Sequence, residues 1–388
     1  MDGPATPMDP TERLRERILS YSTSPSLPRH TPSPDTLFST PDDASLSRAM
    51  RTSGPFSTAV ADWALGLSGS YEHDLPKMED LTLLGVEIRQ SLLGNDNDKT
   101  LEAKGSLSGT YVRQGRYDEA RVLREQVLEV MKRTKGKDHP DTLKCMGYLA
   151  WIYAYQGQYL FSENLERQIL TGLEKRLGAE HDDTVEAMHN LGLTLFSQGR
   201  YHEAERMQCR VVEIRKRTLG EVATGTLSAI GNLGLTYHAL AMYAAAEKIQ
   251  APVVKLLGEE NTSKDALKAK EDLAVTYQWQ SRFAEAEKLQ LQVLKGRKDT
   301  IGDRHPDTLK AMSNLAFTYH QQTNYTKAER VKLEVLEIQK EKYGERGVLH
   351  RDVITAMSDV ALTYQYQSRH SEAEALQVKV LEGKKAIL

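Results

Sequence analysis

The stretch from Asp307 reads DTLKAMSNLAFTYHQQTNYTKAERVKLEVLEIQKEKYG, and the stretch from Asp183 reads DTVEAMHNLGLTLFSQGRYHEAERMQCRVVEIRKRTLG. Laid over one another, they keep their apolar, small and basic residues in the same places. The rest of the chain aligns with them: Thr100, Thr142, Thr184, Thr226, Ala266, Thr308 and Val353 occupy one recurring position. The steps between them are 42, 42, 42, 40, 42 and 45 residues. A period of this size marks a stack of supersecondary units, each burying its apolar face only against its neighbours. Seven units cover 98–388. An eighth, degenerate one is expected over 56–97, ending in Leu93-Gly94 as others end in Leu177-Gly178 and Leu219-Gly220.

Each unit reads as two helices. The first, helix A, follows His305-Pro306 in the sixth unit, with Asp307 expected as the N-cap that accepts the free amides of the first turn. Asp141 and Asp183 fit the same place. Met312, Leu315, Ala316 and Tyr319 then recur at helical spacing. A polar turn carries Gly115, Gly157 or Gly199, and helix B opens on an aromatic residue with alanine three places on, as in Tyr201 and Ala204 or Tyr325 and Ala328. Basic residues such as Arg215, Lys216 and Arg217 close helix B, where cations complement the helix dipole.

Two irregularities carry expectations. Four positions after the helix-B alanine stand Arg124, Gln208, Gln290, Lys332 and Gln377, with an apolar residue one place earlier, which predicts a rotated apolar stripe. Pro252 falls inside a shortened helix B of the fourth unit. An interior proline removes a hydrogen bond and crowds the preceding turn, so a kink or early stop is expected there, dividing the array into 98–260 and 261–388.

Composition narrows the function. Net charge is −3 over 388 residues, so no single-sign field attracts nucleic acid or anionic lipid. Apolar runs are too short to span a bilayer. Only Cys145 and Cys209 occur, which fits a reducing compartment, and a cytoplasmic location is expected. Nine of the 13 prolines lie in 1–55 among serines and threonines, and that composition predicts a disordered segment. Within it, Leu14, Ile18 and Leu19 share one helical face near Arg13, Arg15 and Arg17. Thr6, Ser24, Thr31, Ser33 and Thr40 each precede proline, the context that proline-directed kinases use.

The 11 histidines are scattered, with no cysteine or carboxylate at metal-ligand spacing, and no nucleophile elbow is present. His139 and His305 read as loop residues before proline. The chain is therefore expected to be no enzyme, with no cofactor and no metal.

Leu315, Ala316, Tyr319, Tyr325 and Ala328, or Leu233, Gly234, Tyr237, Tyr243 and Ala246, form a pattern that resembles the tetratricopeptide repeat. The long step, the His-Pro-Asp-Thr opening and the Leu-Gly ending resemble the kinesin light chain subtype. Similar arrays follow the nucleotide-binding domain of fungal immune-type receptors. Residues 1–55 lack the sustained heptads that would attach a light chain to its motor, and no G-x-x-x-x-G-K-[ST] loop occurs.

The resemblance implies an all-α, right-handed α-solenoid and an adaptor that holds a peptide segment of a partner protein in a concave groove. The alternatives are a detached sensor or regulatory module like those receptor arrays, or a non-catalytic subunit of an enzyme complex. It further implies that the residue before the repeat leucine pairs with the peptide backbone: Asn190, Asn232 and Asn314, with Asp272 and Asp359 at the same place. Trp151 and Phe317, two residues after that leucine, and His320 and Trp279 a turn on, would supply an apolar wall. The last helix B runs to Leu388, an end open to self-association or to further repeats.

Overall fold

The computed structural model describes residues 61–62, 64–66, 74–344 and 350–387. The segment 1–55, with its Thr11–Ser20 stretch and its proline-directed sites, lies outside these residues. The chain forms two compact units, 1–187 and 188–388. In unit 1 the helices are α1 (Leu75–Leu93), α2 (Asp98–Arg113), α3 (Tyr117–Thr134), α4 (Pro140–Tyr155) and α5 (Tyr159–Leu177). The boundary falls within α6 (Asp182–Ser197). Unit 2 continues with α7 (Tyr201–Thr218), α8 (Thr224–Ala239), α9 (Tyr243–Leu257), α10 (Lys264–Trp279), α11 (Phe283–Ile301), α12 (Pro306–Gln321), α13 (Tyr325–Tyr343), α14 (Arg351–Tyr366) and α15 (His370–Ile387). Among the described residues there is no strand. Even-numbered helices are the A helices, each 16 residues long, and odd-numbered helices from α3 onward are the B helices.

Helices A and B approach closely because the helix-B alanine has almost no side chain to accommodate. Ala120, Ala204, Ala246, Ala286 and Ala328 are completely buried. The turn between the two helices needs one residue at positive φ. Gly115, Gly157 and Gly199 supply it without strain, whereas Ala241, Ser281, Thr323 and Ser368 adopt the same left-handed conformation with a side chain. The next residue is an arginine in several units, and it locks the turn. Arg282 pairs with Glu247 of the preceding helix B at 2.7 Å and with Glu285 at 2.5 Å, and lies over the Tyr277 ring. Arg116 and Arg369 repeat this arrangement with Glu79, Glu119 and Tyr111, and with Glu329, Glu372 and Tyr364.

Three expectations are corrected. In four units the N-cap of helix A is histidine, and the aspartate stands inside the first turn. The Nδ1 atoms of His139, His305 and His350 accept from the backbone N–H of Asp141, Asp307 and Asp352 at 3.1–3.2 Å, and His181 does so for Asp183. The imidazole acts as acceptor because it sits one residue outside the helix in extended backbone, aimed back at the free amides. The second correction concerns the helix-B stripe, which is not turned away from the polar position. Gln208, Gln250 and Gln290 are buried, for the reason given below.

The third concerns Pro252. Helix α9 continues through it to Leu257, and the chain does not divide near 260. The two missing residues of this unit are lost from α9, which has 15 residues where the other B helices have 18 or 19. Lys270, 1% exposed, donates from Nζ to Glu259 O at 2.5 Å and Asn261 O at 3.1 Å, tying down the connection 258–263 that follows α9. Met146, Met188, Ile230, Met312 and Met357 hold the equivalent place in other units.

Candidate functional site

The A helices carry the expected site residues, and the structure places them as follows. In unit 2, Asn190 is exposed, but Asn232 and Asn314 are engaged sideways with the preceding A helix. Asn232 Nδ2 lies 3.3 Å from His189 Nε2, and Asn314 Nδ2 donates to Glu271 Oε1 at 3.1 Å. Glu271 is itself buried and paired with Arg297 at 2.9 Å. Asp272 is paired with Lys268, although burial raises its carboxyl above the ordinary range. Asp359 is exposed at the corresponding point of α14. Two of the three amides are thus struts between neighbouring helices, each with its Nδ2 group engaged once.

Beneath this face runs a set of hydrogen bonds. Thr236, Thr276 and Thr318 on the A helices donate to Gln208, Gln250 and Gln290 Oε1 on the preceding B helices, at 2.6, 2.6 and 2.7 Å. A hydroxyl has a single proton, so these threonines can only accept from their other neighbours. Gln278 Nε2 donates to Thr318 Oγ1 at 2.7 Å, and His238 Nε2 lies 2.8 Å from Thr276 Oγ1. His238 therefore carries its proton on Nε2. Burial pushes its imidazole below the ordinary value. The signal for this network was legible as the recurring Gln on helix B and Thr three residues after the repeat leucine.

The network ends at α14. Lys332 replaces glutamine, and its Nζ donates to Thr363 Oγ1 at 2.8 Å and to Asp359 O at 3.0 Å. His320, at the place of His238 and Gln278, finds that acceptor taken, and its Nε2 is buried without a hydrogen-bond partner. Its ring packs edge-on against Tyr366, centroids 4.4 Å apart. Burial and then the Lys332 charge lower its pKa.

Large apolar side chains stand out from the A helices. In unit 2, Leu235, Phe317 and Leu362 are exposed by almost half at one repeat position, and Trp279 and Tyr366 are exposed a turn on. Trp279 and Tyr366 stack on the tyrosines that open the neighbouring B helices, Tyr243 and Tyr325. In unit 1, Tyr148, Trp151 and Tyr155 are exposed along α4.

Unit 1 also holds a groove of about 870 Å³. It exists because α2 brings small residues, Gly105, Ser106 and Gly109, opposite Tyr148 and Trp151. Arg124 lies in it where other B helices carry glutamine. Its expected mate would be Ile152, which has no hydroxyl. The guanidinium instead donates to Gly105 O at 2.8 Å and lies over the Tyr148 ring.

No helix among the described residues is long and apolar enough to cross a membrane. Among them, no group of three or more His, Cys, Asp or Glu side chains could hold a metal ion.

The tetratricopeptide repeat model matches residues 99–175, 168–217, 183–251 and 265–341, and a second model of that description matches 353–388. No curated protein sequence matches the chain. Among solved structures, the apo quorum sensor NprR of B. thuringiensis is similar over 87% of this chain and 91% of its own, at 14% identity and TM-score 0.56. A signal transduction ATPase of Pyrococcus horikoshii with a tetratricopeptide repeat sensor is similar over 88% of this chain and 52% of its own, at 13% identity and TM-score 0.58. A Podospora anserina protein described as a kinesin light chain with nearly identical TPR-like repeats covers 52% of this chain and 95% of its own, at 24% identity and TM-score 0.48.

Proposed function

Since the chain belongs to the tetratricopeptide repeat family, a fold of protein–protein interaction scaffolds, we propose that its A helices dock a peptide segment of a partner protein and that it performs no catalysis itself. The observation that carries this reading is the recurrence of exposed large apolar residues at one helical position within unit 2: Leu235, Phe317 and Leu362, with Trp151 at the same repeat position in unit 1. Side chains of this size are placed in water at cost unless a partner covers them, and recurrence at a single position forms a face.

The polar residues named from the sequence contribute less than the apolar ones in this reading. Asn232 and Asn314 each keep one Nδ2 proton and the carbonyl oxygen once the strut bond is made, so backbone pairing along a peptide rests more on Asn190, Asp272 and Asp359. Trp279 and His320 flank the apolar row and shape it. Cys145 and Cys209 are free thiols, in keeping with action in the cytosol.

The test is capture from native extract by the wild-type chain and by two variants, read by quantitative mass spectrometry. Leu235→Ala/Phe317→Ala/Leu362→Ala trims the apolar row, and Asn232→Ala/Asn314→Ala removes the struts. The proposal expects partners lost at least tenfold with the first variant while its circular dichroism and melting stay close to wild type. Partners retained by that variant would place the interaction elsewhere.

A further inference from the structure

The unit-1 groove contains cations that make no direct ion pair with a carboxylate among the described residues. Lys99, Arg124 and Lys144 all line it, and none has an acidic side chain within ion-pair distance among the described residues. The acids that line it are already taken. Asp98 and Asp141 both pair with Lys135, at 2.9 and 2.7 Å, and Glu102 pairs with Arg89 at 3.5 Å. A guanidinium half withdrawn from water calls for an anion, and a planar fork over an aromatic ring suits phosphate oxygens.

The chain carries candidate anions just upstream. Ser24, Thr31, Ser33 and Thr40 each precede proline, and the 60 residues before Ala61 hold seven acids and six arginines, close to neutral as they stand. A proline-directed kinase transfers the γ-phosphoryl group of ATP to such a hydroxyl, releasing ADP and a proton. Each phosphate adds about −1.5 to −2 charges.

Reach is sufficient. Leu65 packs against Val86, Ala103 and Leu107, so the chain enters unit 1 at α1 and α2, and α2 is the helix that floors the groove. Thr40 stands 21 residues before Ala61. That length spans up to roughly 70 Å of extended chain, whereas a 16-residue helix such as α2 is about 24 Å long.

We propose that the Lys99–Arg124–Lys144 groove is a phosphate-accepting site for this chain's own N-terminal segment, phosphorylated at its Ser/Thr-Pro positions. The inference concerns an anion subsite and stands whether or not the apolar row of unit 2 captures a partner.

A labelled peptide of residues 27–44, phosphorylated on Thr31, Ser33 and Thr40, is titrated onto the full unphosphorylated chain by fluorescence anisotropy. Binding at least tenfold tighter than the unphosphorylated peptide is expected, weakening as salt rises. Arg124→Gln, which restores the residue other repeats carry, and Lys144→Ala, on the exposed surface, should each weaken it about tenfold. The same chain phosphorylated by the kinase should bind the free peptide at least tenfold more weakly, because the site is filled from within. Equal binding of the two peptides, or wild-type binding by both variants, overturns the site. A scrambled phosphopeptide binding equally well, or a phosphorylated chain that takes up free peptide like the unphosphorylated one, overturns the assignment of the occupant.

Discussion

At the scale of single residues, hydrogen-bond direction decides what each position tolerates. His238 acts as a donor to Thr276, and Gln278 performs the same task for Thr318 one unit on. His238→Gln is therefore expected to keep the bond and remove a titration. Because burial lowers the folded imidazole, the unfolded chain takes up its proton first as pH falls. The contribution is fully present above the unfolded value of about 6.5 and is lost as pH drops through it toward the folded value. Urea unfolding between pH 7.5 and 5 should show a shallower acid limb in the variant, the residue coming from His320; an unchanged slope would contradict the burial argument. Thr323 offers a second check. Its φ of 59° is strained for a β-branched residue, whereas glycine serves the same turn in unit 1. Thr323→Gly should stabilise by about 1 kcal/mol, net of the added chain entropy of glycine, measured as a rise in denaturant midpoint at constant slope.

At the scale of elements, two joints deviate from the repeat, and each makes a prediction. Around α9 and α10, Lys270 stands where most other units have methionine or isoleucine and holds two carbonyls of the connection 258–263, which follows the shortened α9. Lys270→Met should cost about 2 kcal/mol, since those carbonyls lose their donor. If the variant unfolds like wild type, the lysine is not what holds the connection. At α14, Lys332 and His320 compete for one hydroxyl. Lys332→Gln should let Thr363 donate to the new amide and accept from His320, stabilising the joint by about 1 kcal/mol. The ring contact of His320 with Tyr366 would loosen, visible as a shift of its NMR resonances.

Elements also show what the sequence made legible. Helix pairs, alanine contacts and turns were all readable, because each is fixed by local geometry repeated seven times. The cap was misread because His139 and Asp141 are both polar and adjacent to the helix start, and only backbone direction tells which faces the free amides. Pro252 suggested a break that the surrounding packing prevents. That Trp151 and Phe317 share a repeat position was readable from the spacing, whereas the sideways commitment of Asn232 and Asn314 was not. It depends on His189 and Glu271, 43 residues earlier in sequence and adjacent only after stacking. The Arg124 groove was hidden for the same reason, since it is made by residues missing from a pattern.

At the scale of the whole molecule, stability in a stack of repeats is close to a sum of neighbour terms. The Thr–Gln bonds tie α7 to α8, α9 to α10 and α11 to α12, whereas the pair Arg124 and Ile152 makes none between α3 and α4. Native-state hydrogen exchange should therefore find the amides of α4 less protected than those of α8, α10 and α12. Equal protection would mean that apolar packing outweighs the polar bonds at every joint.

The directed bonds also bear on how such an array can grow or be rearranged. A unit bearing threonine and a buried glutamine can accept one further proton from the A helix before it, which His238 and Gln278 offer and Phe196 does not, so Thr236 stands without that bond. Units that look alike in sequence are consequently not interchangeable. Duplicating α9 and α10 behind α8 would join compatible partners. Moving them behind α4 would set that hydroxyl against a methyl group and lose this bond, so the order of the repeats decides which joints carry it.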